Sequence, residues 1–191
     1  RDGTGLFAAT LMKAIPWLPV EEEGRLNDSM LRENFIERVF VYYRWQKMII
    51  SGITVSRLME FHQRHKSILL AHDEVEYRKL GPLIASANKA NLDEVANEYL
   101  LRAMTCLKAK ASRKRHANVL MHVMGYLKTK ISSDDKQELI EVMDKYRLGQ
   151  VPLIVPITLM KHHLRRYPDD YIDRQYYMDP YPEELMLRNS V

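Results

Sequence analysis

Cysteine is nearly missing: Cys106 is the only one among 191 residues. One thiol excludes an internal disulfide, and it excludes a zinc or iron–sulfur site built from several cysteines of one chain. That suits a reducing compartment, and the chain is expected in the cytoplasm. Long apolar runs are also lacking. Val151 to Met160 is among the longest, contains two prolines and falls well short of the ~18 residues of a membrane span. No membrane partner is expected. The chain has no Gly-x-Ser-x-Gly, no Walker loop, no Rossmann fingerprint and no His-Glu-x-x-His. The chemistry that each of those motifs positions therefore has no support here. No segments pair as strands, and there is no repeat or low-complexity tract.

The composition is that of a folded protein. Hydrophobic residues make up 46% and charged residues 28%, and a chain of this length buries roughly 70% of the surface its unfolded form exposes. The formal net charge is +4 and the pI about 9.1, which permits a polyanionic partner without demanding one. The opening Arg-Asp-Gly-Thr-Gly, with no Met, is expected to belong to a longer chain.

Helix signals follow one another along the sequence. Thr4 to Ala14 reads as a short helix after Gly3 and Gly5. Ile15 to Asn27, with Pro16, Pro19, Gly24 and Glu21 to Glu23, reads as a linker, stiffened by proline and extended by like charge. Asp28 is a natural N-cap for a helix to Ser51. Leu31, Phe35, Val39, Tyr42, Trp45 and Ile49 make its apolar stripe. Gly52 stops it, and Thr54 caps the next. Asp73 opens another, with Glu76 three residues on. Gly81-Pro82 is expected to interrupt that helix, with a short one resuming at Pro82. Asn91 or Asp93 caps a segment to about Ala111, and Ser112 one to Lys130. Ser132 with Asp135, or Ser133, caps one to Leu148, which Gly149 closes. Pro152 and Pro156 fit the start of a buried helix reaching Tyr167, because two prolines four apart spoil a ladder. Short helical pieces follow between Pro168, Pro180 and Pro182. The expected fold is all-α: a single compact multi-helix bundle with a short N-terminal helical appendage.

The histidines are the unusual feature. His62, His65 and His72 share roughly an 80° sector of one helix, together with Lys66 and the core-type Leu58 and Leu69. Polar groups on an inward stripe carry more information than those on an outer face. They are hydrogen-bonded rim residues, or part of a metal site completed by His116, His122 or His162, or part of an anion site with Lys66, Arg115 and Lys161. The spacing matches no metal motif, and no metal is assigned. Lys108 to His116 is the densest basic run and opens a helix at Ser112, whose free N–H groups favour anions. Arg115, Asn118 and His122 share one face. Arg147, Lys161, His162, His163, Arg165 and Arg166 form a second basic group beside a tyrosine-rich tail. That pairing suits stacked bases or a plain interface between copies. Cys106, among Leu101, Met104 and Leu107, reads as an inert core thiol.

Several phrases, taken in order, resemble one family. They are Phe61-His62-Gln63-Arg64-His65-Lys66 with Leu70-Ala71-His72, then Tyr77-Arg78-Lys79-Leu80-Gly81. His116-Ala117-Asn118-Val119-Leu120-Met121-His122 with Gly125-Tyr126 follows. Tyr146-Arg147-x-Gly149 with Val151-Pro152-Leu153 and Lys161-His162 completes the set. Together they resemble the YbgA-like family of unknown function, over roughly Asn34 to Asn189. Members of that family stand alone or follow a TudS-like domain, which is similar to thiouracil desulfidases that use a 4Fe-4S cluster. Gly3 to Val20 look like the closing helix of such a domain, and Glu21 to Asn27 like the junction. The resemblance thus implies a remnant of that domain plus linker over 1–27 and a YbgA-like helical domain over 28–191. The cluster would sit in the preceding domain, since its cysteines are absent here.

What the resemblance implies is an accessory domain of a desulfidase acting on thiolated nucleobases or RNA, not itself catalytic. Its expected partners are the TudS-like domain and a thionucleobase or RNA, with a homo-oligomer as a further option. The rivals are an independent histidine-based metal or small-molecule site and a structural or dimerisation module. The candidate substrate or anion residues are His62, His65, Lys66, His72, Arg115, His116, Asn118, His122, Arg147, Lys161 and His162.

Overall fold

The computed structural model describes residues 5–191, so Gly3 and Thr4 lie outside the described residues. Nine α-helices occur among these: α1 Leu6–Ala14, α2 Ser29–Ile50, α3 Val55–His72, α4 Glu74–Ala85, α5 Leu92–Cys106, α6 Arg113–Leu127, α7 Ser133–Arg147, α8 Ile154–Arg166 and α9 Asp170–Asp173. Short 3-10 turns cover Glu23–Asn27, Glu183–Leu185 and Leu187–Asn189. No strand occurs among the described residues, and none of their helices is long and apolar enough to cross a membrane.

Side-chain caps set most of the starts, as read from the sequence. Asp28 accepts the N–H groups of Met30 and Leu31, Thr54 that of Arg57, Asp73 those of Val75 and Glu76, and Ser112 that of Arg115. Ser132 and Asp135 form a reciprocal capping box, which satisfies two free donors at once. Asn91 instead turns back: its amide donates to the Ser86 carbonyl and its oxygen accepts from the Asn88 N–H.

Gly149 closes α7 with φ +81°, a left-handed conformation that costs an L side chain about 1–2 kcal/mol. A Cβ there would also meet the Arg113 guanidinium. Gly149→Ala is therefore expected to lower stability by at least ~1 kcal/mol in urea unfolding. Unchanged stability would contradict this account of the turn.

Two expected boundaries shift. Gly81-Pro82 does not break α4, which runs through Pro82 to Ala85. The proline sits near the end of the helix and removes one backbone bond, to the carbonyl of the exposed Arg78. Helix α5 stops at Cys106 rather than near Ala111, because the next carbonyls are used elsewhere. Leu107 O accepts from Asn34, and Ala109 O accepts from His72.

Helix α3 lies at the centre, packed against α2, α4, α5 and α6, while α6, α7 and α8 pack on one another. Leu58, Phe61, His62, His65, Leu69 and His72 of its inward side are buried, while Lys66, expected in the same sector, is only half-buried. The adjoining core is closed by Trp45, stacked on Tyr99 at 5.8 Å and edge-on to Phe61 at 5.2 Å. The tail returns across α3 and α2. Tyr176 N–H donates to Arg64 O at 3.0 Å, and the Gln175 amide to Gln63 O at 2.6 Å. Val191 O accepts from Leu153 N–H at 2.8 Å.

The stripe read on α2 is only partly the buried one. The structure buries Glu33, Asn34, Glu37, Arg38, Val41 and Trp45, and leaves Ile49 exposed. Helix α1, by contrast, buries no residue, with Leu6 87% and Phe7 81% exposed.

Candidate functional site

The inward histidines do not meet in one place. His62 Nδ1 lies 3.2 Å from the Tyr99 hydroxyl, and its ring stacks on Tyr77 at 6.3 Å. Burial first, and Lys66 second, pull its pKa down to about 4. His65 Nδ1 donates to Phe61 O at 2.7 Å, and its ring stacks on Phe61 at 4.0 Å. Burial lowers its pKa to about 3 and leaves Nε2 without a protein partner. Both are neutral aromatic core residues at pH 7. Among the described residues no three His, Cys, Asp or Glu side chains are arranged to hold a metal ion. Cys106 is buried against the carbonyls of Leu69 and Asp73, and burial pushes its thiol up to about 12. One such thiol does not fit an iron–sulfur cluster.

His72 belongs to a different arrangement, a buried centre of charge. Its Nε2 donates to Glu37 Oε2 at 2.6 Å, and its Nδ1 to Ala109 O at 2.6 Å. Burial opposes a charged imidazole, but the Glu37 hydrogen bond and charge outweigh it, so the pKa of His72 is raised. Glu37 is likewise disfavoured as an anion by burial, yet the His72 bond holds its carboxyl below the usual range. The pair is therefore carboxylate and imidazolium. Four residues earlier, Glu33 accepts from the Tyr181 hydroxyl at 2.9 Å. Arg188, from the tail, lies between the two carboxylates, 3.6 Å from each, and donates to Tyr177 O at 2.6 Å. His116 joins from α6, with Nδ1 2.9 Å from the Tyr177 hydroxyl. Burial first, then Arg188, lowers its pKa to about 3.

Of the expected site residues, this centre contains only His72 and His116. Glu33, Glu37, Tyr177, Tyr181 and Arg188 were missed. Charged residues four apart on a long helix ordinarily face water, and the arginine that lies between these two comes from the far end of the chain. The one available signal was that Glu33, Asn34, Glu37, Val41 and Trp45 keep helical spacing.

A second arrangement is open to solvent. Lys66 and Ser67 of α3 face His122 and Tyr126 of α6 across a groove of about 380 Å³. Tyr77 and Tyr171 also line it, and Tyr126 stacks on Tyr171 at 5.5 Å. The two faces singled out in the sequence thus converge, through Lys66 and His122. Arg115 turns away and caps the end of α3 by donating to His72 O. Asn118 and His162 are exposed. Arg147 pairs with Asp144 at 3.1 Å, and Lys161 pairs with Asp179. The eleven candidates therefore separate into a buried group, a groove pair and scattered surface residues.

Residues 66–182 match the family described as a protein of unknown function (DUF1722). The uncharacterized protein YbgA of Escherichia coli (strain K12) is 36% identical over 166 residues, covering 86% of this chain and 98% of YbgA. No solved structure matches. The family model covers the residues that line the groove but neither α2 nor Arg188 of the charged centre, and by that match and this relative the chain belongs to the YbgA-like family of proteins of unknown function.

Proposed function

We propose that the chain is an accessory, substrate-facing domain of a desulfidase that acts on thiolated nucleobases or RNA, and that it is not itself the catalyst. The observation that carries this reading is the groove between α3 and α6. It combines the Lys66 ammonium, which among the described residues pairs with no carboxylate, with an imidazole, His122, and three tyrosines, beside the Glu74–Arg78 ion pair. A cation beside exposed aromatic faces is what a single-stranded nucleic acid uses: phosphate meets charge, and bases stack at about 1–3 kcal/mol each. The residues of the buried centre, by contrast, are enclosed and serve the fold.

The preceding catalytic domain, a TudS-like unit carrying its own 4Fe-4S cluster, would cover α1. Leu6 and Phe7 lie exposed on that helix, as expected of an apolar surface whose partner lies in another domain. The sulfur chemistry would belong to that domain, since the one thiol here is buried and protonated.

The test is fluorescence anisotropy of the full chain with a short single-stranded RNA at low and moderate salt. Binding is expected to weaken steeply with salt. Lys66→Ala and Tyr126→Ala are each expected to weaken it about tenfold, a loss of ~1.4 kcal/mol within the range of one stacked base. Absence of binding at low salt would sink the RNA form. Undiminished binding by both variants would move the site elsewhere on the surface.

A further inference from the structure

The other end of α3 holds a denser concentration of positive charge, of which the sequence motifs contain only Arg64. Arg44 and Lys47 of α2 and Arg57 and Arg64 of α3 surround a cleft of about 290 Å³, with Glu60 as its single acid. Tyr176 of the tail forms the wall. The Arg44 guanidinium lies 3.9 Å from its ring centroid and that of Arg64 4.2 Å. Both guanidinium groups are thus held against one ring.

The cations are under-neutralised. Arg64 has Glu60 at 3.8 Å, but among the described residues no carboxylate pairs with Arg44, Lys47 or Arg57. Arg57 spends one nitrogen on the carbonyls of Ser51 and Gly52, and Arg44 one on Pro180 O. Arg44 Nη1 is buried with no hydrogen-bond partner. Burial lowers the pKa of Arg44 despite the opposing pull of Tyr176 and Glu37. An anion here would take up free N–H donors and the unbalanced charge together. The planar fork of arginine suits an oxyanion with several oxygens.

We propose that this cleft is a phosphate socket, holding the phosphoryl group of a nucleotide or of an RNA strand. A groove of about 320 Å³ that also holds Asp170 and Arg174 lies between it and the tyrosine groove, sharing Glu60 and Arg64 with the first and Tyr171 with the second. The path follows α3. From Arg57 and Arg64 to Ser67 and Leu70 is roughly 5–20 Å along the helix at ~1.5 Å per residue. A strand lying on this path has a phosphate held at one end and a base received at the other. The socket deepens the RNA-facing reading and rests on it for the strand, but not for the phosphate.

Isothermal titration calorimetry of the full chain with inorganic pyrophosphate tests the socket. One saturable site is expected. Lys47→Glu and Arg64→Gln are each expected to weaken it at least tenfold. Lys47 is exposed, so its variant folds even if that of Arg64 does not. Lys114→Glu, the same charge change on an exposed residue of α6, should leave it within twofold. Absence of saturable binding overturns the proposal, and so does equal weakening by Lys114→Glu, which means diffuse charge.

Two further arms separate the sources. Uridine 5′-monophosphate as tight as hexauridylate identifies a free nucleotide. Hexauridylate at least tenfold tighter, with the gain lost in Tyr126→Ala, identifies a strand. Pyrophosphate binding without any gain for hexauridylate keeps the socket and rejects the RNA-facing groove.

Discussion

Replacing Arg188 by alanine is expected to destabilise the fold by about 3–5 kcal/mol, the cost of breaking one side of a buried ion network. Glu33 and Glu37 are only 2% and 1% exposed, so neither carboxylate can turn to water when the guanidinium is removed. His72 neutralises one of them, and the other is left with the Tyr181 hydroxyl alone. Burial and the nearby Glu37 already raise the pKa of Glu33. The loss is read from urea unfolding at pH 7, as a lower midpoint at unchanged slope. Combining Arg188→Ala with Glu33→Gln should recover part of it, because the second change removes the uncompensated charge. A single-variant loss below ~1 kcal/mol would place Arg188 among ordinary surface ion pairs and refute its role in holding the tail.

Mild acid is expected to unfold the protein. His62, His65 and His116 are held neutral, with pKa values of about 4, 3 and 3, against ~6.5 in the unfolded chain. A depressed histidine contributes stability that is fully present above the unfolded value and is lost as pH falls below it, because only the unfolded chain takes the proton. Three such groups give a slope of up to ~4 kcal/mol per pH unit below about pH 6.5. Glu33 has a raised pKa, takes a proton in the folded state and offsets up to one of the three. The net slope is then about 3–4 kcal/mol per pH unit, and a typical stability of ~5–15 kcal/mol disappears within a few units.

His72 works in the opposite sense. Its pKa is raised by Glu37, so its contribution is complete below about pH 6.5 and fades as pH rises through the folded value. Stability measured by urea unfolding at pH 5, 6, 7 and 8 should fall sharply on the acid side. His116→Gln should reduce that slope by about one proton. A flat profile from pH 7 to pH 5 would show that the three rings are not held neutral.

The helices were legible because their signals are local. A cap side chain reaches only two or three residues onward, so Asp28, Thr54, Asp73, Ser112 and Ser132 announce their helices wherever these later pack. The inward stripe of α3 was legible for the same reason, since helical geometry alone places Leu58, Phe61, His62, His65, Leu69 and His72 on one side. Asn91 shows the limit of that argument: a good cap residue was drawn into the preceding turn by Ser86 and Asn88.

The sequence by itself thus determined an all-helical chain, the starts of most of its helices and the inward face of its central one. It also marked Lys66 and His122 as candidates on two separate helices. Only the tertiary structure decided that those two share a groove, that His62 and His65 are neutral core rings, and that Glu33 and Glu37 face inward rather than out. It also decided that Arg44 and Arg64 lie against one ring of the tail and share a cleft with Lys47 and Arg57. The reason is physical. A charge can be buried only where an opposite charge is brought to it, and an anion site exists only where cations from different helices are held together against their repulsion. Arg188 and Tyr176 supply those conditions from the end of the chain, at sequence distances where no local pattern operates.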